Sequence, residues 1–207
     1  MKKGFSLPLW VAGAARSALK KLVGLPFENY ESITIPNEKK QIKIEIHSVG
    51  LFNDDSHALG ITFAKSGLDL DITQNLEIWT IASLEKISFK NPVPKNPINI
   101  IAGYGVGIKE DTSEICISDF AKEVLYENLL DSIPEGFNLK LEIIFPNGKF
   151  LAEKLFQILS NTIEERSFEY VNRYVKTDME IAAIIFDRKR KIRWSGTNGK
   201  KYISYFQ

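Results

Sequence analysis

Apolar and polar positions repeat with two different periods along the chain, and each period predicts a different kind of element. Strict alternation over residues 41–47 puts Ile42, Ile44 and Ile46 on one face, which predicts a half-buried strand. The preceding run 32–35 is separated from it by a turn, so the two are expected to form a hairpin. Shorter apolar runs predict further strands at 58–64, 76–84, 99–102 and 139–145.

Helical spacing appears in three places. Residues 9–23 form an alanine-rich amphipathic pattern, with Pro8 suited to the first turn and Gly24 to the end. Asp119 is placed to cap a second helix over 120–130, and an apolar stripe predicts a third over 150–174. A strand at 181–186 and a hairpin turn at Asn198-Gly199 follow. The predicted fold class is α+β, a mixed sheet with an alanine-rich N-terminal helix and a C-terminal helix plus β-hairpin.

Composition narrows the class of protein without revealing its chemistry. The 207 residues carry a net charge of +1, with 44% hydrophobic and 26% charged residues, as in globular proteins of mixed structure. Near-neutral charge argues against a dedicated nucleic-acid binder. One cysteine excludes an internal disulfide framework and a multi-cysteine zinc site.

The N-terminal residues match a targeting signal only in part. Two lysines and a short apolar run outline a secretory signal, but Pro8 and Gly13 interrupt it and the helical pattern continues beyond. No stretch approaches the roughly 20 apolar residues of a spanning helix, so the chain is expected to be cytoplasmic and not membrane-bound.

A glycine cluster follows the predicted strand at 99–102. Gly103, Gly105 and Gly107 let the backbone approach a ligand closely, or they simply serve a turn that needs glycine. The cluster does not match a Rossmann fingerprint, because the next helix begins only near Asp119.

An acidic loop at 66–73 is a second candidate for ligand contact. Asp69 and Asp71 are two residues apart, so an extended backbone points both carboxylates to one face, with Thr73 beside them. Two carboxylates on one face can bind ribose hydroxyls, a cation or a cationic ligand; alternatively, the loop is simply solvated. Further oxygen ligands at regular spacing are lacking, so no metal site is predicted.

The other reactive side chains are expected to play structural parts. His47 and His57 are interpreted as surface and turn residues, and Cys116, between two isoleucines, as a buried inert thiol. The basic run 188–191 is interpreted as a solvated connection, with an anion-binding role as the alternative.

Four segments, taken in order, resemble the CbiD family, the cobalt-precorrin-5B C1-methyltransferases of the oxygen-independent cobalamin pathway. Residues 4–10 and the alanine-rich helix resemble the "GYTLPV" opening of its cyanobacterial branch. Residues 66–73 resemble its "GDDPDVT" loop, 103–107 its "GxGVG" turn, and 141–149 the strand and turn that close its first domain. The acidic loop departs from the family pattern in having leucine at 68 and 70.

The resemblance implies a reaction and a set of contacts. S-adenosylmethionine would give its methyl group to C1 of a corrinoid substrate, without a nucleophilic side chain from the protein. It also implies that Gly103, Gly105 and Gly107 approach the ligand through their backbone. Asp69 and Asp71 would supply polar or cationic contacts, with a hydrogen bond from Thr73. Catalytic residues and the oligomeric state stay open.

Family members are considerably longer than this chain. Their first domain is followed by a parallel α/β domain, and no such pattern lies between residues 148 and 179 here. We therefore expect a CbiD-like N-terminal α+β domain at 1–153, a helix and hairpin segment at 154–207, and no central domain. Two other interpretations remain: a shortened, non-catalytic tetrapyrrole- or adenosyl-binding remnant, and a structural domain without a ligand.

Overall fold

The computed structural model describes residues 6–36, 38–65, 73–87, 96–108 and 114–151, and the backbone of residues 184–187 and 192–195. Helix α1 spans Leu7–Leu22 with Pro8 in its first turn, as predicted. It ends in a Schellman motif, because the N–H groups of Gly24 and Leu25 donate to the carbonyls of Lys21 and Lys20. Gly24 has the left-handed φ of +78° that this motif requires.

Helix α1 is buried more completely than an amphipathic pattern implies. All residues from Leu7 to Ala15 are buried, and polar side chains reach the surface only further along, at Arg16, Lys20 and Lys21. The reason is that elements pack on more than one side of the helix. The prediction of an amphipathic helix therefore holds for its C-terminal half alone.

A two-stranded hairpin covers one side of α1. Strands β1 (Tyr30–Ile35) and β2 (Lys40–Glu45) pair antiparallel, with Ile33 opposite Ile42. The predicted isoleucine face is buried, although β2 ends at Glu45, before His47. The hairpin was therefore predicted correctly.

A five-stranded sheet covers another side of α1. Its strands are β3 (Ser48–Phe52), β4 (His57–Phe63), β5 (Glu77–Lys86), β6 (Ile98–Ala102) and β7 (Phe137–Ile144). The order is β3-β4-β5-β7-β6, antiparallel except for the parallel pair β6–β7, so the sheet is mixed as predicted. Gly60 of β4 lets the sheet meet the helix, because a Cβ there would lie 2.2 Å from the carbonyl oxygen of Ala14.

Strand β3 was not predicted. It follows β2 closely and is interrupted by Gly50, so its apolar alternation is too short to recognise. Three consecutive left-handed residues, Asn53, Asp54 and Asp55, form the turn that returns the chain into β4.

Helix α2 (Asp119–Leu129) connects the parallel strands β6 and β7 and packs against α1. Its N-cap is Ser118, whose Oγ accepts a hydrogen bond from the Ala121 N–H at 3.1 Å. The prediction that Asp119 is the cap was wrong. Asp119 is the first helical residue, and the extended backbone that a cap needs occurs one residue earlier.

A buried amide ties α2 to the hairpin. The Asn128 Oδ1 accepts from the Thr34 N–H at 2.7 Å, and its Nδ2 donates to the Thr34 carbonyl at 2.9 Å. The side chain thus occupies the hydrogen-bonding position of a neighbouring strand along β1. A single 3₁₀ turn, Leu130–Ser132, follows the helix.

Beyond β7 the chain begins a helix at residues 148–151, and most of the predicted helix at 150–174 lies outside the described residues. Strands β8 (Ile184–Asp187) and β9 (Ile192–Ser195) pair antiparallel. The charged connection at 188–191 and the predicted turn at Asn198-Gly199 both lie outside the described residues. The division at residue 153 stays a prediction.

Candidate functional site

Three candidate segments emerge from one edge of the five-stranded sheet. The parallel strands β6 and β7 end side by side, with Ala102 next to Ile143. Strand β5 begins beside the end of β7, where Trp79 pairs with Ile144, and β4 ends beside the start of β5. We call this edge, formed by the ends of β4, β6 and β7 and the start of β5, the carboxyl edge. In open α/β sheets, ligands bind outside the carboxyl ends of parallel strands, and β6 and β7 form one such parallel pair here.

The glycine turn at 103–107 follows β6 at the carboxyl edge. The Gly103 N–H donates to the Ile143 carbonyl at 2.8 Å, and the Val106 N–H closes the turn on the Gly103 carbonyl at 3.2 Å. The Phe145 N–H donates to the Tyr104 carbonyl at 2.9 Å. On its other side, the turn is bound to the buried Cys116, whose N–H donates to the Gly107 carbonyl. The turn is therefore held from two sides.

The turn after β7 packs directly on the glycine turn. A Cβ at Gly105, where φ is +76°, would lie 2.0 Å from the Phe145 carbonyl oxygen. A Cβ at Gly148 would lie 2.3 Å from the Gly105 carbonyl oxygen. The two backbones therefore touch where a side chain has no room. This internal contact accounts for Gly105 without any ligand, and the predicted ligand role of the glycines stays a prediction.

An aromatic side chain is exposed to solvent on the glycine turn, and another on the first helical residues after the second turn. Tyr104 and Phe150 are each 64% exposed. Neither is needed for the contact between the turns, which is made by backbone. Large exposed aromatic side chains are typical of binding surfaces. The helical conformation of Phe150 was predicted from the sequence, but its exposure was not.

The acidic loop joins β4 to β5, so its two ends lie at the carboxyl edge. Asp69 and Asp71 lie outside the described residues. Thr73 is buried, and its carbonyl accepts from the Leu76 N–H at 3.0 Å. The Asn75 N–H donates to the Ala64 carbonyl and so closes the base of the loop. The predicted ligand contacts of the loop are not tested by these bonds.

A polar cluster lies beside the loop, where β2 ends. Glu45 and Lys65, both about half exposed, form an ion pair. The Thr62 hydroxyl donates to the Glu45 carbonyl at 2.6 Å, and the exposed His47 packs edge-on against Phe63. His47 is therefore a surface residue, as predicted. His57 begins β4, directly after the turn in which it was expected.

A second polar cluster lies between the C-terminal half of α1 and the start of β1, around a hollow of about 470 Å³. The Glu31 side chain is only 2% exposed, and it forms ion pairs with Arg16 at 3.3 Å and Lys20 at 3.0 Å. Its sequence signal was a carboxylate on the apolar face of β1, two residues before Ile33.

The pKa values of this cluster follow from burial. Burial raises the pKa of the Glu31 carboxyl, because desolvation outweighs the hydrogen bond and charge of Lys20 and the charge of Arg16. Partial burial lowers the pKa of Lys20, but its hydrogen bonds to Glu31 and Glu28 and their charges outweigh this, so the pKa is raised overall. The two raised pKa values are compatible, because burial removes more water from the Glu31 carboxylate than from the Lys20 ammonium group.

Among the described residues, no three His, Cys, Asp or Glu side chains come together as metal ligands. Cys116 is buried, as predicted. None of the helices in the described ranges has both the length and the apolar character needed to cross a bilayer.

The chain is an α+β protein with a mixed sheet and glycine-bearing turns at its carboxyl edge, and these features occur in a known family. The CbiD family model matches residues 1–159, and the chain belongs to this family. The predicted resemblance and fold class are therefore confirmed.

The names of similar proteins agree with this family assignment. A protein of Prochlorococcus marinus strain MIT 9215, named "Cobalt-precorrin-5B C(1)-methyltransferase", is 49% identical over 370 positions that cover 100% of both chains. A protein of strain NATL2A with the same name is 40% identical over 156 positions, covering 72% of this chain and 41% of its own. The solved structure of the cobalamin biosynthesis protein CbiD from Archaeoglobus fulgidus has a TM-score of 0.53 at 20% identity, and it supports the fold alone.

The relatives are longer than this chain. An alignment of 370 positions with a chain of 207 residues leaves about 163 positions of the MIT 9215 protein without a counterpart. The chain likewise spans about half of the solved structure, 48%.

Proposed function

We propose that this chain is a methyltransferase of cobalamin biosynthesis, which transfers a methyl group from S-adenosylmethionine to C1 of cobalt-precorrin-5B and gives cobalt-precorrin-6A. The observation that carries the proposal is the 49% identity to a named cobalt-precorrin-5B C(1)-methyltransferase, aligned from end to end. The cytoplasm is the proposed location, in keeping with a biosynthetic reaction on a small corrinoid.

The donor supplies a sulfonium whose methyl carbon accepts an electron pair from C1, so a C–C bond forms, the C–S bond breaks and S-adenosylhomocysteine leaves. The chain's own residues need only bind, orient and desolvate the two substrates. Positioning of this kind accounts for much of the rate in a displacement between two bound partners. The proposal therefore requires no nucleophilic side chain, and the buried Cys116 is not needed.

The carboxyl edge is the proposed meeting place of the substrates. Tyr104 on the glycine turn and Phe150 just after the turn packed against it are each 64% exposed, and they offer aromatic rings for the flat macrocycle. The backbone at Gly103, Gly105 and Gly107 lines the same edge. In the proposal, Asp69, Asp71 and Thr73 contact the ligands from the acidic loop, whose ends are at this edge.

We also propose the division into a domain at 1–153 and a segment at 154–207, without the central domain of longer members. The 163 unmatched positions support this division. They also favour the second candidate function, a tetrapyrrole- or adenosyl-binding remnant, because residues supplied by the missing part would be lost.

One assay separates the two functions. Purified chain is incubated with cobalt-precorrin-5B and S-adenosylmethionine that carries a labelled methyl group, with a full-length relative in parallel. Label in the macrocycle and an equal amount of S-adenosylhomocysteine support the methyltransferase. Binding of either substrate without transfer of label, while the full-length relative is active, supports the remnant and rejects the enzyme.

A further inference from the structure

A groove of about 580 Å³ runs along the outer edge of β6. Strand β6 is an edge strand that pairs with β7, and within the described residues no strand pairs with the side of β6 away from β7. The opposite wall is formed by residues 114–117 and the first turns of α2. The volume lies in the range of small-molecule sites. The groove reaches the carboxyl edge, because Ala102 and Ile108, on either side of the glycine turn, both line it.

The lining of the groove combines apolar walls with charges of opposite sign. Isoleucines are half of the lining residues, at 98, 100, 101, 108, 115 and 117. Glu114 contributes a carboxylate and Lys122 an ammonium group. A ligand with a flat apolar body, hydroxyl groups and a charged tail would find a matching group for each part.

The backbone of β6 adds hydrogen-bonding groups along the floor of the groove. The Leu139 N–H donates to the Pro97 carbonyl, and the Gly103 N–H donates to the Ile143 carbonyl, so odd-numbered residues bond to β7. Amides of the even-numbered residues face the other way, as the bond from the Ile98 N–H to the Asn96 side chain confirms. The amide groups of Ile100 and Ala102 therefore face the groove. An adenine edge, with its adjacent donor and acceptor, is complementary to such a backbone.

We propose that this groove binds the adenosyl part of the methyl donor, a proposal that rests on the proposed methyltransferase function. The adenine lies between the isoleucines against the β6 backbone, Glu114 accepts hydrogen bonds from the ribose, and Lys122 binds the carboxylate of the amino-acid tail. The sulfonium end then points past the glycine turn to the macrocycle. This placement assigns the donor to the side of the glycine turn away from β7, with the macrocycle on Tyr104 and Phe150.

The test uses S-adenosylhomocysteine as the probe and the intact chain. Calorimetric titration should show about tenfold weaker binding for Lys122→Met and about fivefold weaker binding for Glu114→Gln. Two substitutions of the same chemistry serve as controls: Lys86→Met, an exposed lysine at the end of the central strand β5, and Glu123→Gln, an exposed residue of α2. Both controls should bind within about twofold of wild type.

Amide NMR shifts of the wild-type chain provide a second readout that requires no variant to fold. Shifts at Ile100, Ala102, Glu114 and Lys122 on adding the probe support the proposal. If the probe binds but shifts only other residues, such as those around the hollow beside Glu31, the proposed donor site in the groove is rejected. The proposed methyltransferase function would not be affected by that result. A wild-type chain that does not bind the probe overturns both.

Discussion

The contact between the glycine turn and the turn after β7 makes a sharp stability prediction. Gly105→Ala introduces a methyl group at a φ of +76°, 2.0 Å from the Phe145 carbonyl oxygen. The left-handed conformation costs a non-glycine residue about 1–2 kcal/mol. Relief of the overlap by a shift of tightly packed backbone costs about 1–3 kcal/mol more. We expect a total loss of about 2–5 kcal/mol in the free energy of unfolding, with the cost of backbone movement included.

Two other glycines separate these contributions. Gly136 has a φ of +82° with no atom within 4 Å of a built Cβ, so Gly136→Ala should cost about 1 kcal/mol from conformation alone. Gly50 lies on β3 with open space and no left-handed φ, so Gly50→Ala should be neutral or slightly stabilising.

Urea unfolding of the three variants, followed by circular dichroism, measures this series. The expected order of stability is Gly50→Ala, then Gly136→Ala, then Gly105→Ala. If Gly105→Ala loses no more stability than Gly136→Ala, the two turns are not packed as described, and the argument for a rigid carboxyl edge fails.

Three further predictions concern the helix cap, the buried carboxylate and the exposed aromatics. Ser118→Ala should lower the free energy of unfolding by about 1 kcal/mol in urea titrations, because the first turn of α2 loses its cap. The pKa of Glu31 is raised by burial, so its contribution to stability is complete below its ordinary value of 4.5 and is lost as pH rises through the folded-state pKa. Thermal unfolding across this pH range should therefore show wild type losing stability relative to Glu31→Gln as pH rises. Tyr104→Ala and Phe150→Ala should each weaken corrinoid binding by a few-fold to about tenfold in fluorescence titrations, with little change in donor binding.

Each of these predictions has a matched control and a contrary outcome. Asp119→Ala should cost less than Ser118→Ala, and the reverse order would restore Asp119 as the cap. Glu28, 61% exposed, is the control for the carboxylate, and Glu28→Gln should keep the pH dependence of the wild type. If Glu28→Gln changes this dependence as much as Glu31→Gln does, the assignment to Glu31 is contradicted. Phe52 is an exposed aromatic at the opposite end of the sheet, and equal weakening in Phe52→Ala would remove the special role of the carboxyl edge.

Local pattern was sufficient for most of the elements. Alternating isoleucines on β2 and the alanine-rich run of α1 report backbone conformation and a buried face, and both depend on neighbours within a few residues. The glycines at 103–107 and the turn at 146–149 were recognised for the same reason, because a tight turn restricts its residues directly. Motif order then identified the family. Strand β3 was not predicted, because its pattern of apolar residues is too short to show a period.

Contacts between residues that are far apart in the sequence could be identified only from the tertiary structure. Strand order places the ends of β4, β6 and β7 at one edge, and it leaves the side of β6 away from β7 open as a groove that no local pattern marks. The partners of Glu31 lie on a different element, and the cap of α2 depended on the backbone angles of Ser118 rather than on residue preference. Propensity acts between near neighbours, whereas pairing and burial are set by which segments the whole chain can pack together, and that information is spread over all of them.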